Sequence, residues 1–504
     1  MKIVTARRIS QTFFLAMFFW FCVVTICGSE WWRLRGWLIN LFLHLDPLAP
    51  IGTALTTRTL CVGLLWTLPV IILTILIGRF FCGWLCPFGT MNQFIGWVAN
   101  RSKPASLKVR RNSYRRGQAV KYYVLLFFLA VGIFPVFGRS LQTGLLSPIP
   151  LVTRSVNLTL LPILNSGTDL IDALQRYYVH GMAILAVFFA LLAMNVAIPR
   201  FFCRFICPTG ALFGIINRFS LLRIGKKQTQ CSNCMGCERS CEGACHPSGK
   251  FRVSECVLCM NCLHDCKDEL VTYGPARSEV GAIKGPDISR RGFVLSVAGG
   301  IVALPALRLG NVLGENYDPS LIRPPGSLPE GQFLERCLKC GQCIRVCPTN
   351  VLQPASLKHG IERIWTPILN NRIGSSGCQY NCIACGHICP TAAIRPLSID
   401  EKHGRGEFAD KGPIRIGTAF VDRTRCLPWA KGRNCLICLG NCPVSPKAIY
   451  TTEEYETIRD GEYIVAAAGA GWITLSRARL TPRSLATGNY YMVMPSFDPV
   501  PLRI

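Results

Sequence analysis

The chain has 504 residues, of which 50% are hydrophobic, with 28 cysteines and a formal charge of +27. This length exceeds one compact core, and the hydrophobic content favours a membrane part over a wholly soluble protein. The cysteines fall in runs of four, which indicates metal binding rather than the disulfides of a secreted domain. No nucleic-acid motif accompanies the basic charge, so positive-inside topology and anionic lipid explain that charge better.

The first 222 residues are predicted to form a membrane domain of four spans. Each span is an apolar run of about membrane-crossing length, and together they cover about residues 12–27, 60–80, 122–137 and 178–199. Residues 101–121 hold eight Lys or Arg and no acid, which places them and the N-terminus on the cytoplasmic side. The solitary cysteines are interpreted as ordinary apolar residues of these spans: Cys22, Cys27 and Cys61.

The pattern FFCxxxCPxG closes both even-numbered spans, once from Phe80 and once from Phe201. Two copies predict two parallel repeats related by an axis along the membrane normal. Such an axis would bring four thiols together, which could hold an iron–sulfur cluster or a single iron: Cys82, Cys86, Cys203 and Cys207. The alternative is that each C-x3-C-P is a helix-ending turn that binds nothing.

The pattern C-x2-C-x2-C-x3-C then occurs twice, which predicts a cytoplasmic two-cluster ferredoxin domain over 223–288. In that layout the fourth Cys of each motif binds the other 4Fe-4S cluster. One cluster is therefore assigned to Cys231, Cys234, Cys237 and Cys266, and the other to Cys256, Cys259, Cys262 and Cys241. Cys245 lies four residues beyond Cys241 and could replace it as a ligand.

A twin arginine, Arg290 and Arg291, opens a Gly-rich apolar run over 289–311. This pattern is typical of the route that exports folded proteins, and we expect the segment to remain as a fifth, anchoring span. An amphipathic helix on the cytoplasmic face is the alternative.

Beyond it, 312–504 is predicted to be an exported α+β, ferredoxin-like polyferredoxin domain. Its three cysteine runs suffice for three more clusters, and the first run is expected to exchange its fourth ligand with one of the others. The cysteines are Cys337, Cys340, Cys343, Cys347, Cys378, Cys382, Cys385, Cys389, Cys426, Cys435, Cys438 and Cys442.

Two portions of the chain resemble one redox system. FFCGWLCPFG, FFCRFICPTG and the double motif resemble the four-span membrane quinol dehydrogenase of NapH type, and the twin-arginine segment together with residues 330–450 resembles the exported NapG-type polyferredoxin. The resemblance implies a fusion of the two, an oxidoreductase of the bacterial inner membrane. It would pass electrons from menaquinol to a periplasmic reductase or cytochrome c. No nucleotide-binding motif and no C-x2-C-H haem attachment site is present in the sequence.

Quinol oxidation requires a proton acceptor at the membrane edge, and polar residues beside spans are candidates for that role. The candidates are His44 and Asp46, in the sequence HLDPL, and His180, which starts the fourth span. They could instead cap a loop helix or lie among lipid headgroups, and the two histidines could ligate a b-type haem.

Two other functions stay open: an electron conduit whose quinol is oxidised by another subunit, and a metal-reducing or assembly factor. The predicted topology also leaves a hydrocarbon core about 30 Å thick between the two sets of clusters. That separation is too wide for one fast electron hop.

Overall fold

Residues 1–416 form one compact unit of the computed structural model, and residues 417–504 form a second. The structure describes residues 3–25, 39–59, 63–134, 139–166, 175–227, 231–275, 278–283, 285–312, 321–374, 377–417, 421–431, 435–440, 442, 447–454, 465–469, 472–475 and 489–493. Cys27 and Cys61 lie outside the described residues, whereas Cys22 is buried in an apolar core.

Residues 3–217 form a helical core. Its α-helices are α1 (Ile3–Val24), α2 (Leu41–Leu45), α3 (Leu48–Thr57), α4 (Gly63–Ile77), α5 (Phe80–Trp84), α6 (Pro87–Asn100), α7 (Ala105–Asn112), α8 (Val120–Ile133), α9 (Pro148–Ser155), α10 (Leu161–Asn165), α11 (Gly181–Ala193), α12 (Phe201–Phe205) and α13 (Pro208–Asn217). A π-helical segment, Val156–Leu160, joins α9 to α10. Three 3-10 turns lie at Arg116–Ala119, Thr143–Leu145 and Met194–Val196.

Two described helical stretches are long and apolar enough to cross a membrane, Ile3–Val24 and Ala105–Ile133. Two shorter helical stretches, Leu65–Ile77 and Gly181–Val196, are apolar but fall below that length. Their outward side chains are nonetheless apolar and exposed; Leu65 is 66% exposed and Met182 is 72% exposed. Exposed apolar side chains of this kind occur where a protein meets lipid or another protein. The predicted four-span bundle is therefore supported for two spans, and the other two remain a prediction.

The first ferredoxin region, residues 223–283, packs on the helical core. Strands β1 (Arg223–Lys226) and β3 (Val271–Gly274) pair antiparallel, and β2 (Phe251–Arg252) and β4 (Ala282–Ile283) pair parallel. A short helix follows the first two cysteines of each motif and contains the third: α14 (Gly236–Arg239) and α15 (Asn261–Asp265). A 3-10 turn, Val253–Glu255, leads into the second motif.

Helix α16 (Arg290–Val312) runs beside α8 in the same direction. A Cβ on Gly292 would lie 2.6 Å from the Tyr123 ring, and one on Gly300 would lie 2.6 Å from the carbonyl oxygen of Phe127. Small residues at such positions let two helices approach closely within a membrane. At 1.5 Å per residue, α16 is about 34 Å long, and its role as a fifth span remains a prediction.

The second ferredoxin region, residues 321–416, also packs on the helical core. Its helices are α17 (Glu330–Arg336), α18 (Gln342–Val346), α19 (Ala384–His387) and α20 (Ile399–His403), and its strands β5 (Leu352–Pro354) and β6 (Pro367–Leu369) pair antiparallel. Three 3-10 turns complete it: Leu357–His359, Ile361–Arg363 and Gly406–Lys411.

The unit of residues 417–504 contains α21 (Leu427–Lys431), α22 (Ile437–Gly440), and two antiparallel strand pairs. Strand β7 (Tyr450–Glu454) pairs with β10 (Asn489–Val493), and β8 (Val465–Gly469) pairs with β9 (Trp472–Leu475).

The two ferredoxin regions contact opposite ends of α1. Near its start, Arg7 donates a hydrogen bond to the carbonyl oxygen of Cys259, at 2.7 Å. At its end, Val24 packs against Val346 and Ile388. The helical rise places these two points about 26 Å apart, close to the thickness of a bilayer core.

Candidate metal centres

Four cysteines of the helical core form what is here named the four-cysteine centre. Cys82 lies on α5 and Cys203 on α12, while Cys86 and Cys207 cap the helices that follow, α6 and α13. None is more than 9% exposed, and all four belong to one apolar core.

Both C-x3-C-P motifs build the same local structure. Pro87 and Pro208 each start a helix, where a missing N–H costs nothing. The capping sulfur accepts a hydrogen bond from a glycine N–H, Gly89 to Cys86 at 3.4 Å and Gly210 to Cys207 at 3.2 Å. The turn and the buried thiols therefore occur in the same motif. A role of C-x3-C-P in ending a helix does not exclude a role of its cysteines as metal ligands.

Two arginines supply positive charge at this centre. Arg79 donates through Nε to the sulfur of Cys82 at 3.2 Å, and Arg200 donates to the carbonyl oxygen of Cys82 at 3.2 Å. The Nη2 of Arg79 is buried with no hydrogen-bond partner among the described residues, and it lies 2.6 Å from where a Cβ on Gly210 would be. A buried cation directed between thiols fits an anionic group held by those thiols.

Asp46 is wholly buried beside the second motif. Its carboxylate accepts hydrogen bonds from the backbone N–H of Leu48 at 3.1 Å, the Thr209 hydroxyl at 3.1 Å, and the Ser147 hydroxyl. It thus joins the segment before α3, the start of α9 and the start of α13.

The two histidines proposed for quinol chemistry lie elsewhere. His44 is half-buried on α2, where its carbonyl oxygen accepts a hydrogen bond from Thr67 at 3.0 Å. His180 precedes α11 and is also half-buried. Among the described contacts, none joins His180 to His44 or Asp46.

The first ferredoxin region brings its motif cysteines into one small core. Burial raises the pKa of the Cys262 thiol well above its usual range, and the nearby thiols of Cys259, Cys241, Cys256 and Cys237 raise it further. Cys266 packs against the same core. Cys231 is half-buried and Cys234 is exposed.

Cys245 and Cys241 are alternative fourth ligands of the same cluster. Its N–H donates to the Cys241 sulfur at 3.2 Å, and its thiol lies within hydrogen-bonding reach of both Cys241 and Cys256. Both residues are buried, so the structure keeps either of them available as the fourth ligand.

The second ferredoxin region sorts its eight cysteines into two sets. Burial raises the pKa of the Cys343 thiol well above its usual range, and neighbouring thiols raise it further, most of all Cys340, Cys337 and Cys389 and least Cys385. Burial likewise raises the pKa of Cys385, with added contributions from Cys378, Cys382 and Cys347. The last cysteine of the first run therefore lies with the set formed by the second run, and the last cysteine of the second run lies with the set formed by the first.

The third run lies in the unit of residues 417–504. Burial raises the pKa of the Cys438 thiol, and the thiols of Cys435 and Cys426 add to this. The sulfur of Cys442 accepts a hydrogen bond from the N–H of Ala448 at 3.3 Å.

Three of the cysteine loops share one backbone conformation. The residues on both sides of the second cysteine have positive φ: Asn233 and Met235, Leu258 and Met260, Lys339 and Gly341. Five of these six are not glycine, so the conformation is strained and must be imposed by what the loop encloses or packs against. The shared shape indicates that the three loops enclose the same kind of group.

These donor sets fit iron–sulfur clusters. Close, buried thiols are hard to deprotonate unless a positive group binds them. Among the described residues, no three Cys, His, Asp or Glu side chains stand where a single metal ion could be held.

A first junction joins the helical core to the first ferredoxin region. Glu242 forms ion pairs with Arg7 and Arg200, each at 2.8 Å, and both arginines are 1% exposed. Burial raises the pKa of Glu242, but the charges of the two arginines outweigh it and hold the pKa below its usual value. Lys121 is paired with Glu255 in the same interface.

The closest approach at this junction is made by Gly83. A Cβ there would lie 2.1 Å from the carbonyl oxygen of Val257. The neighbouring Trp84 donates its indole N–H to the carbonyl oxygen of Leu258 at 3.0 Å. The glycine of the FFCGW motif is therefore required for backbone contact between the two parts.

A second junction joins the helical core to the second ferredoxin region. A Cβ on Gly144 would lie 2.0 Å from the carbonyl oxygen of Leu338. Around it, Arg154 donates to the carbonyl oxygen of Lys339 at 2.9 Å, and Asn157 donates to Gln342 at 3.1 Å.

Several of these residues were not identified from the sequence: Arg79, Arg200, Glu242, Glu255 and Gly144. Two of them carry a weak signal in the sequence, Glu242 and Glu255. Each is an acid directly beside a motif cysteine, where an iron–sulfur cluster would itself be negatively charged. Lys121 was counted among surface cations, whereas it is 1% exposed and paired.

Comparison with known proteins agrees with the cysteine chemistry. Two family models match, both described as 4Fe-4S binding domains, one over residues 59–105 and 180–227 and the other over residues 333–353. The first thus covers both C-x3-C-P motifs. No solved structure matches the chain.

Three relatives illustrate the range. YccM of Escherichia coli, named for electron transport, is 24% identical over 298 residues, 57% of this chain and 76% of YccM. The regulatory protein NosR of Pseudomonas aeruginosa is 29% identical over 230 residues, 45% of this chain but only 27% of NosR. The ferredoxin-type protein NapG of Escherichia coli is 31% identical over 189 residues, 35% of this chain and 73% of NapG.

The expected kinship with NapG is therefore confirmed, while a fusion with a NapH-type protein remains a prediction. On the strength of the NapG match, supported by the cysteine sets above, this chain belongs to the NapG family of ferredoxin-type, iron–sulfur electron-transfer proteins.

Proposed function

We propose that the protein carries electrons across the bacterial inner membrane, taking them from menaquinol and delivering them to a periplasmic reductase. One observation carries the proposal. A single apolar core contains Val257 and Cys259 of the first ferredoxin region, the four-cysteine centre, and Leu338 and Cys340 of the second region. Electron tunnelling weakens steeply with distance, so a centre between the two regions removes the need for one hop across the bilayer.

Five sets of four cysteines hold five 4Fe-4S clusters in this proposal, about 20 irons. The sets are Cys231, Cys234, Cys237 and Cys266; Cys256, Cys259, Cys262 and either Cys241 or Cys245; Cys337, Cys340, Cys343 and Cys389; Cys378, Cys382, Cys385 and Cys347; Cys426, Cys435, Cys438 and Cys442. The four-cysteine centre holds a further iron–sulfur group, as the family description of residues 59–105 and 180–227 supports.

When bound, the clusters would carry electrons one at a time. The protein sets the distances between the clusters and the charge that surrounds them. Gly83 and Gly144 let the backbones of the two ferredoxin regions approach the helical core on either side of the four-cysteine centre. Arg79 and Arg200 offset the negative charge that four thiolates bring into an apolar core.

The proposed orientation follows from the basic stretch 101–121, which favours the cytoplasmic side. The first ferredoxin region contacts the helical core near that stretch, through Asn112 and Lys121. Helix α16 starts there and runs beside α8, so it would carry the chain outward as an anchor and leave the second region in the periplasm.

The quinol step is proposed for Asp46, His44 and His180. Asp46 is the best placed to accept a proton near the four-cysteine centre, since its carboxylate contacts Thr209, two residues after Cys207. The burial of Asp46, 0% exposed, favours a second candidate function, a conduit whose quinol is oxidised by another subunit. A haem between His44 and His180 gains no support from their separate contacts.

Cluster reduction by menaquinol separates these two functions. We expect the purified chain to bleach its cluster absorbance on addition of menaquinol, and Asp46→Asn and His44→Gln to slow that bleaching at least tenfold. Both variants should still be reduced by dithionite at the normal rate. Bleaching by dithionite but not by menaquinol in the unaltered chain would leave the conduit and reject the quinol site.

A further inference from the structure

A cavity of about 490 Å³ lies beside the first junction, outside every cysteine set. It is bounded by the start of α1, by α6 and α7, and by the two short helices of the first ferredoxin region. A second cavity of about 270 Å³ continues along α1 and α6 and shares Arg8, Gln93 and Trp97 with the first.

The larger cavity carries an excess of positive charge. Four of its cations make no ion pair with any described residue: Arg8, Arg101, Lys108 and Arg239. Lys108 reaches only the carbonyl oxygen of Arg101, at 3.4 Å.

The carboxylates that line the same cavity are already engaged. Glu242 is paired with Arg7 and Arg200, and Asp265 contacts only the imidazole of His264, at 2.9 Å, among the described ion pairs. Even with the charge of Asp265 counted as unbalanced, four cations from separate segments outnumber it, and this excess favours an anionic ligand.

The smaller cavity has a different character. Phe94 is 63% exposed and Trp97 is 52% exposed along its wall, and the guanidinium of Arg101 lies 5.6 Å from the Trp97 ring. Trp beside Arg is typical of the membrane–water interface. A ligand that filled both cavities would have an anionic head and an apolar tail.

We propose that this pair of cavities binds an anionic phospholipid, with its phosphate among the four cations and an acyl chain along Phe94 and Trp97. The lipid would bridge α1, α6 and α7 to the first ferredoxin region and so hold that region against the membrane. A neutral quinone would not balance the charge, and a free phosphate would leave the apolar wall uncovered. The proposal uses the membrane location but not the electron route, so each can fail without the other.

The test is lipid retention by the full-length protein through detergent exchange, read by native mass spectrometry. Protein mixed with phosphatidylcholine and cardiolipin or phosphatidylglycerol should retain the anionic lipid by more than about tenfold over phosphatidylcholine. The variant Arg101→Gln/Lys108→Gln/Arg239→Gln should lose this preference.

The matched control is Arg110→Gln/Arg115→Gln/Arg116→Gln, which removes the same amount of charge from residues of the basic stretch 101–121 that lie outside the cavity. It should keep the preference. The single variant Arg8→Gln, on a separate helix, should lower the preference about fivefold. It provides a test that does not depend on correct folding of the triple variant.

Three results would overturn the proposal. Equal losses in both triple variants would show diffuse surface attraction rather than a site. Displacement of the lipid by millimolar inorganic phosphate would show a site for free anions. Equal retention of phosphatidylcholine by the unaltered protein would show no anionic selectivity.

Discussion

The two junctions of the helical core differ in how they are held. The first uses buried ion pairs, in which Glu242 meets two arginines and Glu255 meets Lys121. The described contacts of the second are hydrogen bonds to carbonyls and amides, together with the Arg154 guanidinium stacked 4.0 Å from the Trp365 ring. At both junctions a backbone carbonyl lies close to a glycine. Among the described residues, only the first junction has paired charges in an apolar core.

This difference predicts unequal tolerance to mutation. A buried ion pair adds little net stability compared with apolar residues, yet losing one partner leaves an uncompensated charge. A neutral hydrogen bond contributes about 1 kcal/mol, and its loss is modest. The first ferredoxin region should therefore be fixed in position more strictly than the second.

The largest effect is expected from Glu242→Gln, which leaves two buried arginines without a carboxylate. We expect a loss of about 3–5 kcal/mol in the free energy of unfolding and faster proteolysis within residues 223–283. Thermal unfolding in detergent and timed protease digestion measure the two. Glu269→Gln, an exposed acid of the same region, is the control and should change neither. Equal behaviour of the two variants would contradict the role given to the ion pairs.

Gly83→Ala and Gly144→Ala test the feature that the junctions share. Each added methyl would lie about 2 Å from a carbonyl oxygen, so each should cost about 1–3 kcal/mol and loosen its own ferredoxin region only. Hydrogen exchange of each region, followed by mass spectrometry, reports the effect. Gly274→Ala and Gly331→Ala have open space around the added methyl and should be silent. If either junction variant were silent too, close backbone approach would not matter there.

The smallest effect is expected at the second junction from Asn157→Leu. It removes one neutral hydrogen bond to Gln342, for a loss of about 1 kcal/mol in unfolding free energy. Chemical denaturation compares it with Glu242→Gln. A loss as large as that of Glu242→Gln would erase the distinction between the junctions.

The sequence was sufficient where chemistry depends on local spacing. Each run of four cysteines is close enough in the chain to define its own loop, so the ferredoxin motifs were recognised directly. The sequence predicts that the first run exchanges its fourth ligand with a later run. It does not identify Cys389 as the partner, because either later run has a suitable last cysteine.

Other features depend on distant contacts that one sequence does not show. Arg7 and Glu242 are 235 residues apart, and nothing near either residue predicts the partner. HLDPL was singled out for polar residues at the membrane edge, and the sequence does not predict the contacts of buried Asp46 with Ser147 and Thr209, from two other parts of the chain. The predicted fourth span, residues 178–199, was longer than helix α11, because apolar composition continues through the 3-10 turn Met194–Val196 that follows the helix.

The central claim is that electrons cross the membrane through the four-cysteine centre. The most direct measurement uses liposomes that contain the protein and trapped ferricyanide, with dithionite added outside. We expect the unaltered chain to reduce the trapped ferricyanide without added quinone. Cys86→Ser/Cys207→Ser should abolish this transfer while the iron content of the ferredoxin motifs is retained, and Cys22→Ser, at a solitary buried cysteine of the same core, should leave it unchanged. Transfer at the normal rate in the double variant, or transfer that requires added menaquinone, would contradict the account.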